Sequence, residues 1–168
     1  LFACTLEGMV PTAVAAILLE RTQRAFAQLA HAEQELVDMG VSRRSTASMG
    51  EKVTNRHLRT LVAIDRHGTE TAAAQELDIS QPSVTQTLRQ LERIVETNLF
   101  IRTARGMLVT RAGEIMLRRT KLMFYELQLA RDDIAAQFGE HPAHLIGGGP
   151  VRLAAHRHRN DGDERLVG

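Results

Sequence analysis

Shifted by 98 residues, this chain aligns with itself. Leu1-Phe2 falls on Leu99-Phe100, Thr5 on Thr103, Gly8-Met9 on Gly106-Met107 and Thr12 on Thr110. The match continues as Ile17, Leu19, Arg21, Thr22, Phe26, Leu29 and Ala32 repeat as Ile115, Leu117, Arg119, Thr120, Phe124, Leu127 and Ala130. These are 13 identities in 33 aligned positions, where unrelated sequences of average composition share about two. Duplicated segments are expected to adopt the same elements. What precedes Leu99 has no counterpart before Leu1, so the chain is expected to begin inside a repeat whose first copy is incomplete.

The second copy carries the fuller pattern. Leu58, Leu61, Val62, Ala63 and Ile64 fall on helical spacing from about Val53 to Arg66, and His67-Gly68 is a C-terminal stop. A short helix is expected at Thr71 to Leu77, with the small residues Ala73 and Ala74 facing inward, and a tight turn at Asp78-Ile79-Ser80. Ser80 suits the cap of a third helix, Pro82 sits where a missing N–H costs nothing, and Val84, Leu88 and Leu91 supply its inner face. Two β-prone runs around Ala104-Arg105-Gly106 predict a hairpin, the wing. From Arg111 to Phe138, Ala112, Met116, Met123, Leu127, Ala130, Ile134 and Phe138 recur at steps that put them on one face of a long helix. The first copy keeps this stripe as Val14, Leu18, Ala25, Leu29, Ala32 and Leu36, so the long helix is expected to pack against another helix.

The expected fold is therefore mainly α: a winged helix-turn-helix with a long linker helix, preceded by a partial repeat of hairpin plus long helix. Its divisions are the partial repeat at 1–39, a Ser-, Thr- and Gly-rich linker at 40–51, the winged helix-turn-helix at 52–110, the long helix at 111–139, and a flexible tail at 140–168.

Whole-chain charge is a formal +1 and points to no partner, but its distribution does. Lys52 to Arg111 holds nine basic against six acidic residues, whereas residues 1–40 hold two against five. The middle is the part suited to phosphates. With no Trp, one Tyr and five Phe, the chain has few platforms for stacking single-stranded bases, which favours duplex DNA. The single cysteine, Cys4, excludes an internal disulfide, and no apolar run approaches the roughly 18 residues of a membrane span. A cytoplasmic protein is expected.

A helix-turn-helix offers the outer face of its second helix to a major groove about 12 Å wide. Here that face carries Gln81, Ser83, Thr85, Gln86 and Arg89, with no carboxylate before Glu92, and the wing adds Arg102 and Arg105 for phosphate or the minor groove. Taken singly, each is an ordinary surface residue; together, in this order, they describe a duplex-reading surface.

The ordered set Thr71-Ala72-Ala73-Ala74, Ser80-Gln81-Pro82-Ser83-Val84, Leu91-Glu92, Leu99-Phe100-x-Arg102 and Thr110-x-Ala112-Gly113 resembles the signature of LysR-type bacterial transcription regulators over about Asn55 to Phe138. The resemblance implies sequence-specific DNA binding in bacterial transcription, with Gln81, Ser83, Thr85 and Gln86 on bases or backbone and the wing arginine on phosphate. It also implies a homo-oligomer joined through the long helix, with Met116, Met123, Leu127, Ala130 and Ile134 as its dimerisation stripe; pairing of the two long helices within one chain, as a pseudo-dimer, is the open alternative. The family's ligand-sensing domain would begin near Pro150-Val151-Arg152-Leu153, so the tail is expected to be its truncated start, with no inducer site in this chain. Two positions depart from the pattern. Gln86 stands where the family often has Arg, and Glu96 replaces a usual glycine after the recognition helix, making that turn less comfortable if it needs a positive φ. In the first copy, Cys4 and Glu7 stand at the positions of Arg102 and Arg105, so the first hairpin is expected not to bind DNA.

No catalytic grouping is expected. His57 and His67 flank a short helix without a nearby Cys and suit capping or surface positions. His141, His144, His156 and His158 fall in the tail without strong ligand spacing, and Gly147-Gly148-Gly149 follows no strand and opens no helix. No enzyme activity, metal or cofactor is therefore expected. The competing reading is a protein-interaction module in which the two long helices pair while DNA affinity has been lost.

Overall fold

The computed structural model describes residues 2–5, 8–42 and 49–137. Along the chain it has β1 (Phe2–Thr5), β2 (Gly8–Pro11), α1 (Ala13–Asp38), α2 (Met49–Lys52), α3 (Asn55–His67), α4 (Glu70–Leu77), α5 (Gln81–Val95), β3 (Phe100–Thr103), β4 (Gly106–Val109) and α6 (Arg111–Gln137). Phe138, the four tail histidines and the triple glycine lie outside the described residues. Each strand pair is a separate antiparallel hairpin, and Phe2↔Pro11 through Thr5↔Gly8 has the register of Phe100↔Val109 through Thr103↔Gly106, again 98 residues apart.

Helices α3, α4 and α5 pack together around Leu58, Leu61, Ile64, Val84, Leu91 and Val95, with Leu99 and Met116 closing the core from the wing and from α6. Each such side chain contributes about 1.5–3 kcal/mol by leaving water. Ala73 and Ala74 are the buried side chains on the inner face of α4, so α3 and α5 approach it closely. The short connection between α4 and α5 follows from Asp78, which caps α4 at φ +53 and lets Ile79 N–H return to the Ala74 carbonyl at 3.1 Å.

Local caps set where these helices start and stop. Thr69 accepts from Ala72 N–H at 3.2 Å and opens α4, and Gly68 closes α3 at φ +70. Glu96 ends α5 in the left-handed region at φ +53, as expected from the missing glycine. An L side chain held there costs roughly 1–2 kcal/mol. Glu96→Gly should therefore raise stability by about 1 kcal/mol, the relief being partly offset by the freer unfolded chain. A denaturation midpoint equal to or below that of the parent would refute the strain.

The helix-start histidine has a structural task. His57 is buried and forms a reciprocal cap: its N–H donates to Thr54 Oγ1 at 3.3 Å while its Nδ1 accepts from Thr54 N–H at 3.1 Å. Loss of hydration pushes its pKa below the ordinary histidine value, against an opposing hydrogen bond with Gln90, and nearby Arg56 lowers it further. The native state thus favours the neutral ring. As pH falls through about 6.5 the unfolded chain takes up the proton first and stability declines, until the lower folded pKa is reached. Urea midpoints at pH 7.5 and about 5.5 should show this decline, and His57→Gln, which retains a capping acceptor, should flatten it.

The segment expected to be a linker differs from that reading. Met49 is fully buried in the helical turn α2, which touches α1 and α5, and Gly50 N–H donates to Glu33 at 3.2 Å. Composition marked a flexible stretch, but an apolar methionine beside the core had more to gain from burial.

The most extensive helix pairing among the described residues is α1 with α6. Ala25, Leu29, Ala32 and Leu36 of α1 are buried, as are Met116, Met123 and Ala130 of α6, with Leu127 and Ile134 half-buried. The stripe expected to meet a second copy of the chain lies along a helix already paired with α1. Glu35 shows the electrostatics of this seam: the Arg119 hydrogen bond, outweighing a desolvation effect that raises it, holds its carboxyl below the usual range, with Arg118 adding to the effect.

Candidate nucleic-acid interface

Helix α5 begins at Ser80, whose Oγ accepts from Ser83 N–H at 3.4 Å and lies 2.8 Å from Ser83 Oγ, with Pro82 in the first turn. Its inner residues Val84, Leu88, Leu91 and Val95 are buried, which turns Gln81, Gln86 and Arg89 outward and leaves Ser83 and Thr85 half-buried at the edge. The predicted face is therefore assembled on one side of one helix. Gln86, Arg89 and Arg105 have no side-chain partner among the described residues.

Beneath this face lies a carboxylate that the sequence reading did not include. Glu70, the first residue of α4, is 5% exposed, and its oxygens meet Arg102 at 2.6 Å, Thr85 Oγ1 at 3.0 Å and Gln81 Nε2 at 3.2 Å. Gln81 also donates to Thr85 Oγ1 at 2.9 Å. One carboxylate thus ties together α4, α5 and the wing strand β3. The recognition helix itself carries no carboxylate before Glu92; helix α4 supplies one from outside α5, because the turn returns its first residue to the start of the recognition helix. Arg102 remains 58% exposed, so its charge is partly neutralised and its position fixed, whereas Arg105 projects from the hairpin tip. The helix expected from Thr71 starts one residue earlier, with Thr69 as its cap and Glu70 as its first residue, and the burial of Glu70 depends on tertiary packing.

The wing is held at three further points. Glu92 Oε1 accepts Leu99 N–H at 2.9 Å and Phe100 N–H at 3.4 Å, so the end of α5 sets the start of β3. Met107 N–H donates to the Gly68 carbonyl at 2.8 Å, and a Cβ on Gly106 would stand 2.6 Å from that oxygen. Thr110 joins wing to linker helix: its N–H donates to Leu99 O at 3.0 Å, its hydroxyl donates to Asn98 O at 2.7 Å, and its Oγ1 accepts Gly113 N–H at 3.0 Å. Glu92, Gly106 and Thr110 are positioning residues; each belongs to or borders a motif quoted from the sequence, but none was assigned that work.

Among the described residues no group of three or more His, Cys, Asp and Glu side chains comes together as a metal site would require, and no helix is long and apolar enough to cross a membrane. His67 instead meets Glu76 at 2.5 Å, and Arg66 meets the same carboxylate at 2.6 Å.

Residues 55–114 match the family described as bacterial regulatory helix-turn-helix protein, lysR family. The HTH-type transcriptional regulator PcaQ of Agrobacterium fabrum is 33% identical over 105 residues, covering 62% of this chain and 32% of that protein. The HTH-type transcriptional regulator AbaB of Streptomyces antibioticus is 45% identical over 62 residues, covering 37% of this chain and 21% of that protein. The chain thus spans about a third of PcaQ's length and less of AbaB's. Among solved structures, the DNA-binding domain of CbnR in complex with DNA is 28% identical, covering 51% of this chain and 99% of that one, with a TM-score of 0.48.

Proposed function

Because residues 55–114 form a helix-turn-helix domain of the lysR family, we propose that this chain binds duplex DNA sequence-specifically and serves in the regulation of bacterial transcription, in the cytoplasm and without enzymatic activity. The observation that carries the reading is the exposed polar face of α5, flanked by a wing that the Glu70 node and the Gly68 contact hold in place. Gln81, Ser83, Thr85 and Gln86 take base edges or the neighbouring backbone, where a glutamine bonds adenine at two points. Arg89 and Arg105 take phosphates, and Arg102 acts from a fixed position beside the helix N-terminus. Pairing the binding charges with DNA rather than protein makes affinity fall steeply with salt.

Fluorescence anisotropy of the chain with duplex DNA at low and moderate salt tests this, beside Arg89→Ala/Arg105→Ala. Their side chains are exposed and have no partner among the described residues, so their loss leaves folding intact. Binding should weaken by about 10-fold or more, and the slope of log affinity against log salt should flatten by nearly 2, about 0.9 per phosphate contact. No binding even at low salt would overturn the proposal in favour of a helix-pairing interaction module.

A further inference from the structure

The polar contacts between α1 and α6 gather at two places, and apart from Arg118 on Glu35 and His31 beside Arg119 they match one another across the seam. Arg21 of α1 donates to Asp133 at 2.9 Å and to Glu126 at 3.0 Å. Arg119 of α6 donates to Glu35, through Nε at 2.8 Å, and to Gln28 at 3.0 Å. Adding 98 turns Arg21, Gln28 and Glu35 into Arg119, Glu126 and Asp133. Each arginine therefore reaches across the seam to the counterparts of the two residues that the other arginine meets. The start of α1 lies against the end of α6 and the reverse, so the helices run antiparallel. Reciprocity of this kind, residue i on j and j on i, is the mark of a two-fold interface between identical subunits. Here one chain supplies both halves.

We propose that α1 is a built-in stand-in for the linker helix of a second subunit: it occupies the self-pairing face of α6 from within the same chain and yields a single-chain pseudo-dimer of the two long helices. Ala25, Leu29, Ala32 and Leu36 fill the places across the seam that Met123, Leu127, Ala130 and Ile134 of another copy would fill. One chain carries both helices, so this pairing is intramolecular and does not depend on the concentration of a second copy.

The symmetry fails where the helix-turn-helix packs on α6. On α6, Leu117 is buried, Phe124 is half-buried against the core, and Lys121 bridges to Asp65 of α3 at 2.9 Å. Their counterparts on α1, Leu19 and Phe26, are 60% and 52% exposed, and Gln23 is exposed.

The proposal is independent of DNA binding and is tested without DNA. Light scattering of the full chain from low to high micromolar concentration should give a monomer near 18.6 kDa; a dimer growing in with concentration would overturn it. Charge reversal then separates one chain from two. Arg21→Glu should lower the melting temperature by several degrees, and adding Glu126→Arg and Asp133→Arg to the same chain should restore it. If Arg21→Glu leaves the melting temperature unchanged, or if mixing the Arg21→Glu chain with a chain carrying only Glu126→Arg/Asp133→Arg restores it in trans, the seam is absent or lies between chains.

Discussion

Gly113→Ala is expected to cost about 3 kcal/mol, the upper part of the range for forcing an atom into a filled site, and to lower the melting temperature by about 10 °C for a domain of this size. Gly113 lies in the first turn of α6, where the Leu99 carbonyl that accepts Thr110 N–H lies against it. A Cβ would collide with that carbonyl oxygen and stand 2.7 Å from Val109 Cγ2. The obstruction is backbone, so no rotamer change relieves it; the corner between wing and linker helix would have to open. Gly50→Ala is the control, since nothing lies within 4 Å of its would-be Cβ. Differential scanning calorimetry of both variants decides the matter, and a Gly113→Ala midpoint within a degree or two of the parent would show that the corner is not tightly closed.

The second large effect concerns selectivity. Glu70→Gln keeps the size of the side chain but removes the charge that Arg102, Thr85 and Gln81 share. Freed from its partner, Arg102 should add one phosphate contact, steepening the salt slope by about 0.9 and strengthening binding to arbitrary duplex. Gln81 and Thr85 should at the same time lose their fixed orientation, so the preference for a specific site over random DNA should fall by about 10-fold, the value of one lost base contact. Competition anisotropy with specific and scrambled duplexes reads both quantities. Equal losses on the two duplexes, with no change in slope, would mean that Glu70 only stabilises the fold.

Some of this architecture was legible in the residues alone. Thr69, Ser80 and Pro82 mark helix starts because capping chemistry is local, and Gly68 marks a stop because a left-handed residue costs glycine little. The burial of Leu58, Leu61, Val84, Leu88 and Leu91 follows from helical spacing, so the outward direction of Gln81, Gln86 and Arg89 follows by exclusion. The family resemblance flagged Glu96 in place of a usual glycine, and only the folded backbone shows that the turn takes a positive φ there.

Other features required the chain to be folded. Glu70 and Arg102 are 32 residues apart, and no local pattern says that a helix-start carboxylate will be buried beneath a wing arginine. Met49 sits in a stretch whose composition marks a linker, yet it is fully buried. The 98-residue repeat determined that two long helices share one apolar stripe, because periodicity records which face avoids water. It did not determine who meets that stripe. Apolar burial is non-directional, so Ala25 and Leu29 would satisfy α6 equally from another chain or from their own. The tertiary structure places Arg21 on Asp133 and Arg119 on Glu35 within one chain, and it is these directional contacts, not the apolar stripe, that carry the intramolecular pairing proposed above.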